Sequence, residues 1–399
     1  MPNPKAEPAT SWCTDEFLKA IPKSDLHVHL DGSLRLDTLV ELARDAPGVT
    51  LPSEDLGVLR RDVFKRDFAS LEEYLAPFAY TTGCLQTAAN LERVAYEFAI
   101  DNFAEGVRYF EVRFAPQLHC SVEPSQGFGI VEVLQAVNAG LARARDEANA
   151  KLHAGLSSGQ RSGEPEYEYG IIACAMRMFF PGMSRYYDAL FALHPHASST
   201  EVTSMASVNL VRASKDARDA HGVPVVAIDV AGAERDYEAT VHADAFQLAH
   251  SFAFGKTVHA GEGFGPESIW QAVRDLHAER IGHGFHLFST SAMTSNKHIA
   301  EDGTGQAFVD RLVKYVSDRR ITLEVRHPRH AAHVPPRATL LHQSHLAKRR
   351  TPAAPLAGLL DLQPEHNAGT HSLSARTPED DRRSDLGEPG HRQPPGQQH

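Results

Sequence analysis

Short apolar runs alternate with longer amphipathic segments between about residue 24 and residue 325. Runs of roughly four to eight apolar residues are typical of buried strands, and their alternation with helix-length segments is typical of a parallel sheet covered by helices. The pattern therefore predicts seven strands. They are SDLHVHL (24–30), GVRYFEVRF (106–114), GIIACAMR (170–177), VPVVAIDVAG (223–232), KTVHAGE (256–262), RIGHG (280–284) and ITLEV (321–325).

Two of the intervening segments have the apolar repeat of a helix. The first is followed by Gly106, a typical residue at the end of a helix. The second opens with Pro266, which is favoured in the first turn. Both predict amphipathic helices that precede a strand. The residues on one face are Leu91, Val94, Ala95 and Phe98 in the first segment, and Ile269, Ala272, Val273 and Leu276 in the second.

Two other stretches lack this repeat. Residues 149–168 are rich in Gly, Ser and Glu and predict a surface loop. Residues 316–399 contain no Phe, Trp or Tyr, and nine of the 23 histidines lie from His327 onward. A segment with so few large apolar residues cannot offset the entropy cost of ordering. We therefore predict a folded domain over residues 1–325 and a low-complexity tail over residues 326–399, disordered or out of frame.

Composition narrows the choice of partner. The 399 residues carry a formal charge of −11 at pH 7, which argues against a nucleic acid or an anionic membrane as a partner and is compatible with a small neutral substrate. The four cysteines include no Cys-x-x-Cys pair, so neither a thiolate zinc site nor a disulfide framework is indicated. No apolar run approaches the roughly 18 residues of a membrane span. We expect a cytoplasmic protein.

Three sequence motifs indicate chemistry at strand ends. In DLHVHLDGS, His27 and His29 lie two apart, so both rings project to one side of a strand, and Asp31 follows on that side if the strand continues. Two neutral imidazoles suit zinc. A His-x-His pair that stands alone more often packs or bonds to the backbone, and this alternative remains open. TVHAGE adds His259 and Glu262; a carboxyl beside a metal can act as acid and base.

Each of the later motifs also has a structural alternative. Glu262 could instead cap the helix that starts near Pro266. The third motif, ERIGHG, places His283 between two glycines, and such a histidine is often structural. The conjunction favours function, because the motifs all lie at or near the carboxyl ends of strands, where barrel enzymes assemble their sites.

PKSDLHVHLDGS, RYFEVRFAPQLH, VAIDVAGAE, TVHAGE and ERIGHG together resemble the adenosine deaminase family of metal-dependent hydrolases over roughly residues 20–325. The resemblance implies an α/β fold, a (β/α)8 barrel of the TIM type, with one zinc ion per subunit. It also implies hydrolysis of the six-amino group of adenosine or deoxyadenosine, which gives inosine or deoxyinosine and ammonia in purine salvage.

The resemblance also implies roles for individual residues. The zinc ligands would be His27, His29 and His259, and Glu262 would be the catalytic acid. His283 is similar to the histidine that orients and deprotonates the metal-bound water. Contacts to the nucleoside would come from His29, Asp31 and Gly232.

The chain departs from the family at one ligand. The family carries a fourth ligand, an aspartate, in a late strand within a stretch resembling LNTDDP or LNTDN, and no such stretch occurs here. Asp380 and Asp381 have no strand before them and are not assigned to zinc. We therefore expect a barrel that is incomplete at its last strand, weak zinc binding, and turnover that is slow or absent.

Three other functions compete with adenosine deamination. The substrate could be adenine or another 6-aminopurine, or the chain could be an inactive purine-binding relic. A metal-dependent phosphoesterase is disfavoured, because no Arg or Lys cluster near the motifs could hold phosphate. The pattern does not indicate an oligomeric state.

We predict a change of reading frame within or just after ITLEV, since aromatic residues vanish there and His, Pro, Arg and Gln become abundant. Translation of the other two frames beyond codon 325 should encode a strand that carries Asn-Thr-Asp. If neither frame encodes such a strand, the hypothesis is wrong.

Overall fold

The computed structural model describes residues 14–65, 68, 71–120, 128–157, 164–294 and 303–324. At its centre lies one sheet of seven parallel strands, in which each strand pairs with the next in chain order. All seven predicted strands are confirmed, with ends that differ by at most two residues. They are β1 (Lys23–His29), β2 (Val107–Phe114), β3 (Glu168–Met176), β4 (Val225–Ala231), β5 (Gly255–Ala260), β6 (Arg280–His283) and β7 (Thr322–Glu324).

The sheet curves into a nearly closed barrel. Its first and last strands approach each other closely enough for Glu324 of β7 to contact His27 of β1, with 2.7 Å between Oε2 and Nδ1. The predicted TIM-type barrel is therefore confirmed with seven strands among the described residues. Val325 and all later residues lie outside them, so the division into a domain over residues 1–325 and a tail over residues 326–399 stays a prediction.

Helices follow most strands and cover the barrel. Both helices predicted from apolar spacing are present, and their predicted faces are buried, although Leu276 lies just past the end of its helix. Within the described part of the chain, no helix is long and apolar enough to cross a membrane. The helices are α1 (Asp15–Ala20), α2 (Leu36–Asp45), α3 (Leu56–Val58), α4 (Leu71–Leu75), α5 (Phe78–Cys84), α6 (Ala88–Ala104), α7 (Ile130–Ser157), α8 (Arg185–Leu193), α9 (Ser199–His221), α10 (Ala243–Ser251), α11 (Pro266–Arg274) and α12 (Gly305–Asp318), with short 3-10 turns at Pro116–Leu118, Ala239–His242 and Thr290–Ala292 and one π-helical turn at Leu59–Val63.

The loop predicted over residues 149–168 is wrong at its ends, because α7 continues to Ser157 and β3 begins at Glu168. The chain that returns toward β3 satisfies a polar side chain of this part of the helix. Asn149 accepts a hydrogen bond from the Tyr167 amide at 2.7 Å and donates one to the Tyr167 carbonyl at 3.0 Å. Such long-range contacts override local composition. The middle of the predicted loop, residues 158–163, lies outside the described residues.

A glycine permits close packing between α6 and α7. Gly140 faces α6, and a Cβ atom added there would lie 2.1 Å from the Glu92 carbonyl oxygen and 2.9 Å from the Tyr96 nitrogen. These neighbours are helix backbone, which cannot rotate away as a side chain can. The two helices can therefore keep this spacing only with glycine at position 140.

We expect Gly140→Ala to lower the free energy of unfolding by about 1–3 kcal/mol, because the added methyl group forces the two helices apart. Urea denaturation followed by circular dichroism would measure the change. Gly155→Ala is the matched control in the same helix, since a Cβ atom there meets nothing within 4 Å. The control should be neutral or stabilising by up to about 1 kcal/mol. Equal midpoints for the two variants would refute the packing argument.

Candidate active site

All the predicted site residues line one cavity at the carboxyl ends of the strands. The cavity has a volume of about 820 Å³ and lies where barrel folds place their binding sites. The structure thus brings the predicted residues together, while their individual roles stay predictions. The predicted residues on its wall are His27, His29, Asp31, Gly232, His259, Glu262 and His283.

Three imidazoles converge in this cavity. One ring nitrogen from each of His27, His29 and His259 lies within 4.8 Å of the other two. The closest pair is Nε2 of His29 and Nε2 of His259, at 3.0 Å. Rings on two different strands therefore point to one centre, and together they could hold a metal ion.

Two carboxylates orient two of these rings. Glu324 Oε2 lies 2.7 Å from His27 Nδ1, and Asp229 Oδ2 lies 3.0 Å from His259 Nδ1. A carboxylate only accepts hydrogen bonds, so each Nδ1 donates and each Nε2 keeps its lone pair. His27 Nε2 is buried without a hydrogen-bond partner among the described residues. An imidazole held by a carboxylate with a free Nε2 is the usual arrangement of a metal ligand, so the residues fit a metal ion.

One buried guanidinium joins the two carboxylates. Arg113 on β2 is fully buried, and it donates from Nη1 to Asp229 Oδ2 at 2.9 Å and from Nη2 to Glu324 Oε2 at 2.8 Å. Burial alone would raise the pKa of Asp229, but its electrostatic interactions with His259 and with the Arg113 guanidinium hold that pKa well below its ordinary value. Asp229 therefore stays an anion that can orient a ring.

Burial also governs the ionisation of the site. It lowers the pKa of His27, His29 and His283 well below the ordinary value, and nearby charges lower it further. The three rings are therefore neutral near pH 7, as metal ligands and proton acceptors must be. Burial raises the pKa of Asp31 to about 7, and its Oδ1 lies 4.0 Å from His29 Nδ1.

Glu262 lies just past the end of β5 and His283 is the last residue of β6, and the two side chains face each other with 3.4 Å between Oε2 and Nε2. The backbone of His283 is left-handed, with φ of 67°, a conformation that costs energy for a residue with a side chain and often occurs at functional sites. A Cβ atom on Gly282 would lie 2.8 Å from His27 Cε1. Only glycine at position 282 leaves room for the ring of His27.

The alternative in which Glu262 caps a helix is not what the structure shows. The helix α11 begins after Gly265 without a hydrogen bond from a capping side chain. The His-x-His pair likewise does more than pack, because His27 and His29 both contribute to the cluster of ring nitrogens.

Sequence reasoning missed the residues that orient two of the clustered rings: Asp229 and Glu324 directly, and Arg113 through them. Each lies in a segment that was predicted as a buried strand, within RYFEVRF, VAIDVAG and ITLEV. Charged side chains are almost never fully buried unless they are paired. A charged residue within an apolar strand was therefore the available signal that these side chains are paired, although the signal does not identify the partner of each.

The cluster formed by His27, His29 and His259 contains imidazoles alone. Among the described residues, no carboxylate joins His27, His29 and His259 within 4.8 Å. Other zinc sites with three protein imidazoles exist, with an open fourth position. The donor set therefore fits zinc with one position open.

The chain matches a family model and named relatives. The model described as adenosine deaminase matches residues 22–183 and 193–328. Adenosine deaminase 1 of Streptomyces coelicolor is 35% identical over 327 residues, which cover 81% of this chain and 68% of the relative. An adenosine deaminase of Mycobacteroides abscessus is 36% identical over 307 residues, which cover 76% of this chain and 70% of the relative.

Solved structures show the same fold at lower identity. The N6-methyl-AMP deaminase of Arabidopsis thaliana has a TM-score of 0.53 at 22% identity, covering 78% of this chain and 73% of that structure. A zinc-bound amidohydrolase of Burkholderia ambifaria has a TM-score of 0.54 at 20% identity, covering 83% and 78%. These two likenesses concern the fold. Because the family model matches most of the residues and the two relatives are 35% and 36% identical, the chain belongs to the adenosine deaminase family.

Proposed function

We propose that this protein hydrolyses the six-amino group of adenosine or deoxyadenosine, giving inosine or deoxyinosine and ammonia, as a zinc-dependent enzyme of purine salvage in the cytoplasm. The observation that carries the proposal is the convergence of three ring nitrogens within 4.8 Å in a cavity that also holds Glu262 and His283. Membership of the family and the names of the relatives support the substrate.

His27, His29 and His259 would hold the zinc ion. When bound, zinc supplies the Lewis acidity that makes water a nucleophile near neutral pH. The protein supports this by fixing two of the rings through Glu324 and Asp229. Ligands with a fixed orientation need no reorganisation when the ion binds.

Glu262 and His283 would move the protons. In this proposal Glu262 protonates the purine nitrogen next to the attacked carbon, which removes aromatic stabilisation there and makes the carbon electrophilic. His283, whose Nε2 lies 3.4 Å from the Glu262 carboxylate, accepts the proton of the attacking water. The neutral state of His283, which results from burial, is the state in which it can accept that proton.

Asp31, His29 and Gly232 would position the nucleoside. All three lie on the cavity wall, and His29 is also one of the three clustered imidazoles. A ribose hydroxyl would give the buried Asp31 carboxyl a hydrogen-bonding partner, and free adenine has no ribose. This favours a nucleoside over adenine as the substrate.

A second candidate is a purine-binding protein that lacks turnover. The observation that favours it is the metal cluster itself, in which no carboxylate joins the three imidazoles of the described chain. In this case the cavity and its purine contacts persist while the metal site is too weak for catalysis.

We expect the zinc-loaded full chain to release ammonia from adenosine slowly and to leave adenine unchanged. Glu262→Gln should lower the rate by about 10²–10⁴-fold, since it removes the proton donor and keeps the size of the side chain. A coupled ammonia assay at high protein concentration, with zinc content measured on the same sample, would test this.

Glu238→Gln is the matched control, because Glu238 is exposed on the segment after β4 and lies away from the cavity wall. It should leave the rate unchanged. Binding of purine nucleosides without ammonia release would favour the second candidate. Faster turnover of adenine, or equal rates for Glu262→Gln and the parent protein, would contradict the proposal.

We expect Asp229→Asn to weaken zinc binding by about 10- to 100-fold, because an amide no longer provides the anion that orients His259. Competition with a chromophoric chelator would measure the affinity. Asp244→Asn on the exposed side of α10 is the control and should have no effect. Unchanged affinity in a folded Asp229→Asn variant would show that Asp229 does not support a ligand.

A further inference from the structure

We propose that Glu234 is a positioning residue that holds Glu262 in place through the backbone of residues 261–264, here called the β5 loop. The inference rests on the proposed function, since it concerns the residue assigned there to proton transfer. Glu234 follows β4 in chain order, and the β5 loop follows the neighbouring strand. Glu262 lines the cavity, whereas Glu234 is not among the lining residues.

The carboxylate of Glu234 accepts four backbone hydrogen bonds from consecutive residues. Oε1 accepts from the Gly261 amide at 2.5 Å. Oε2 accepts from the amides of Glu262, Gly263 and Phe264 at 3.0, 2.7 and 3.1 Å. Glu234 is buried, with 6% of its surface exposed. Hydrogen bonds to an ionised acceptor are roughly twice as strong as neutral ones, so one side chain fixes the whole β5 loop.

The amides of the β5 loop require an anion. Successive N–H groups that point to one centre form an anion-binding concavity, and the loop precedes the amino end of α11, where the helix dipole also favours negative charge. A glutamine at position 234 would present an NH₂ group to at least one of these donors. The site therefore distinguishes a carboxylate from an amide of the same shape.

The β5 loop would move without this anchor. Gly261 and Gly263 flank Glu262, and Gly261 has a left-handed backbone with φ of 70°, so the loop can adopt many conformations. The segment that carries Glu234 is itself fixed, because the buried Arg177 donates to the Tyr237 carbonyl at 2.7 Å and to the His259 carbonyl at 2.6 Å. Glu234 therefore connects a fixed segment to the β5 loop and so limits the movement of Glu262, the residue proposed to contact the purine.

A double-mutant cycle on product binding tests the inference without requiring turnover. The probe is inosine, whose ring N–H would donate to the Glu262 carboxylate, and calorimetry on the zinc-loaded full chain measures its affinity. We expect Glu262→Gln and Glu234→Gln each to weaken binding about 10-fold. The double variant should bind no more weakly than Glu262→Gln alone, because Glu234 acts through Glu262. Zinc affinity should change less than twofold, since Asp229 holds His259 separately.

Hydrogen exchange gives a second readout. The amides of residues 261–264 should exchange at least about 10-fold faster in Glu234→Gln, while those of β1 to β4 stay protected. Glu238→Gln is the control and should match the parent protein in both measurements. Glu234→Asp keeps the charge with a shorter reach, so its inosine affinity should lie between those of Glu234→Gln and the parent.

The outcomes separate this inference from the proposed function. A folded parent protein that binds zinc but no inosine would overturn the proposed function and this inference with it. Inosine binding by the parent combined with no loss in Glu234→Gln, or with losses that add fully in the double variant, would overturn the inference alone. If both Glu234→Gln and Glu234→Asp fail to fold, Glu234 is a residue of general stability and the inference is wrong.

Discussion

The orientation of two imidazole rings in the candidate site depends on one buried positive charge, the guanidinium of Arg113. Arg113 has no exposed surface, and a guanidinium inside a protein must be paired with anions. The two anions that pair with it, Asp229 and Glu324, each also hold an imidazole. The same two carboxylates therefore balance the charge of Arg113 and set the direction of two imidazole rings. Barrel interiors are usually filled by layers of branched apolar side chains, and here an ion-pair network takes that place beneath the cavity.

The fold could be predicted from the sequence because parallel strands are buried on both faces. Such strands read as nearly continuous apolar runs, and all seven runs became strands. The prediction failed at residues 149–157, where composition indicated a loop and the chain forms the end of α7. Asn149 and Tyr167, which contact each other at this extension, are 18 residues apart in the chain. A local sequence pattern therefore cannot reveal their contact.

In the candidate site, too, features marked by a local sequence pattern could be predicted, whereas contacts between residues distant in sequence could not. Groups that would touch metal or substrate could be found in the sequence, because His27 and His29 share one strand face, because each motif marks a strand end, and because the resemblance to the deaminase family implies the contact of Gly232. The supporting residues could not be assigned, since Arg113 meets Glu324 across 211 positions of sequence. Glu234 illustrates the limit further. Its partners are backbone amides, which every residue possesses, so no sequence pattern distinguishes it from an ordinary loop glutamate.

The contact between Glu324 and His27 links the orientation of the His27 ring to the distance between the first and last strands of the barrel. These residues belong to β7 and β1, the two ends of the sheet among the described residues, so the interaction spans the seam of the barrel. If β1 and β7 move apart, the Glu324 carboxylate separates from the His27 ring. The ring is then no longer held in one orientation or one tautomer. Closure of the barrel and the orientation of the His27 ring are therefore coupled, because one contact contributes to both.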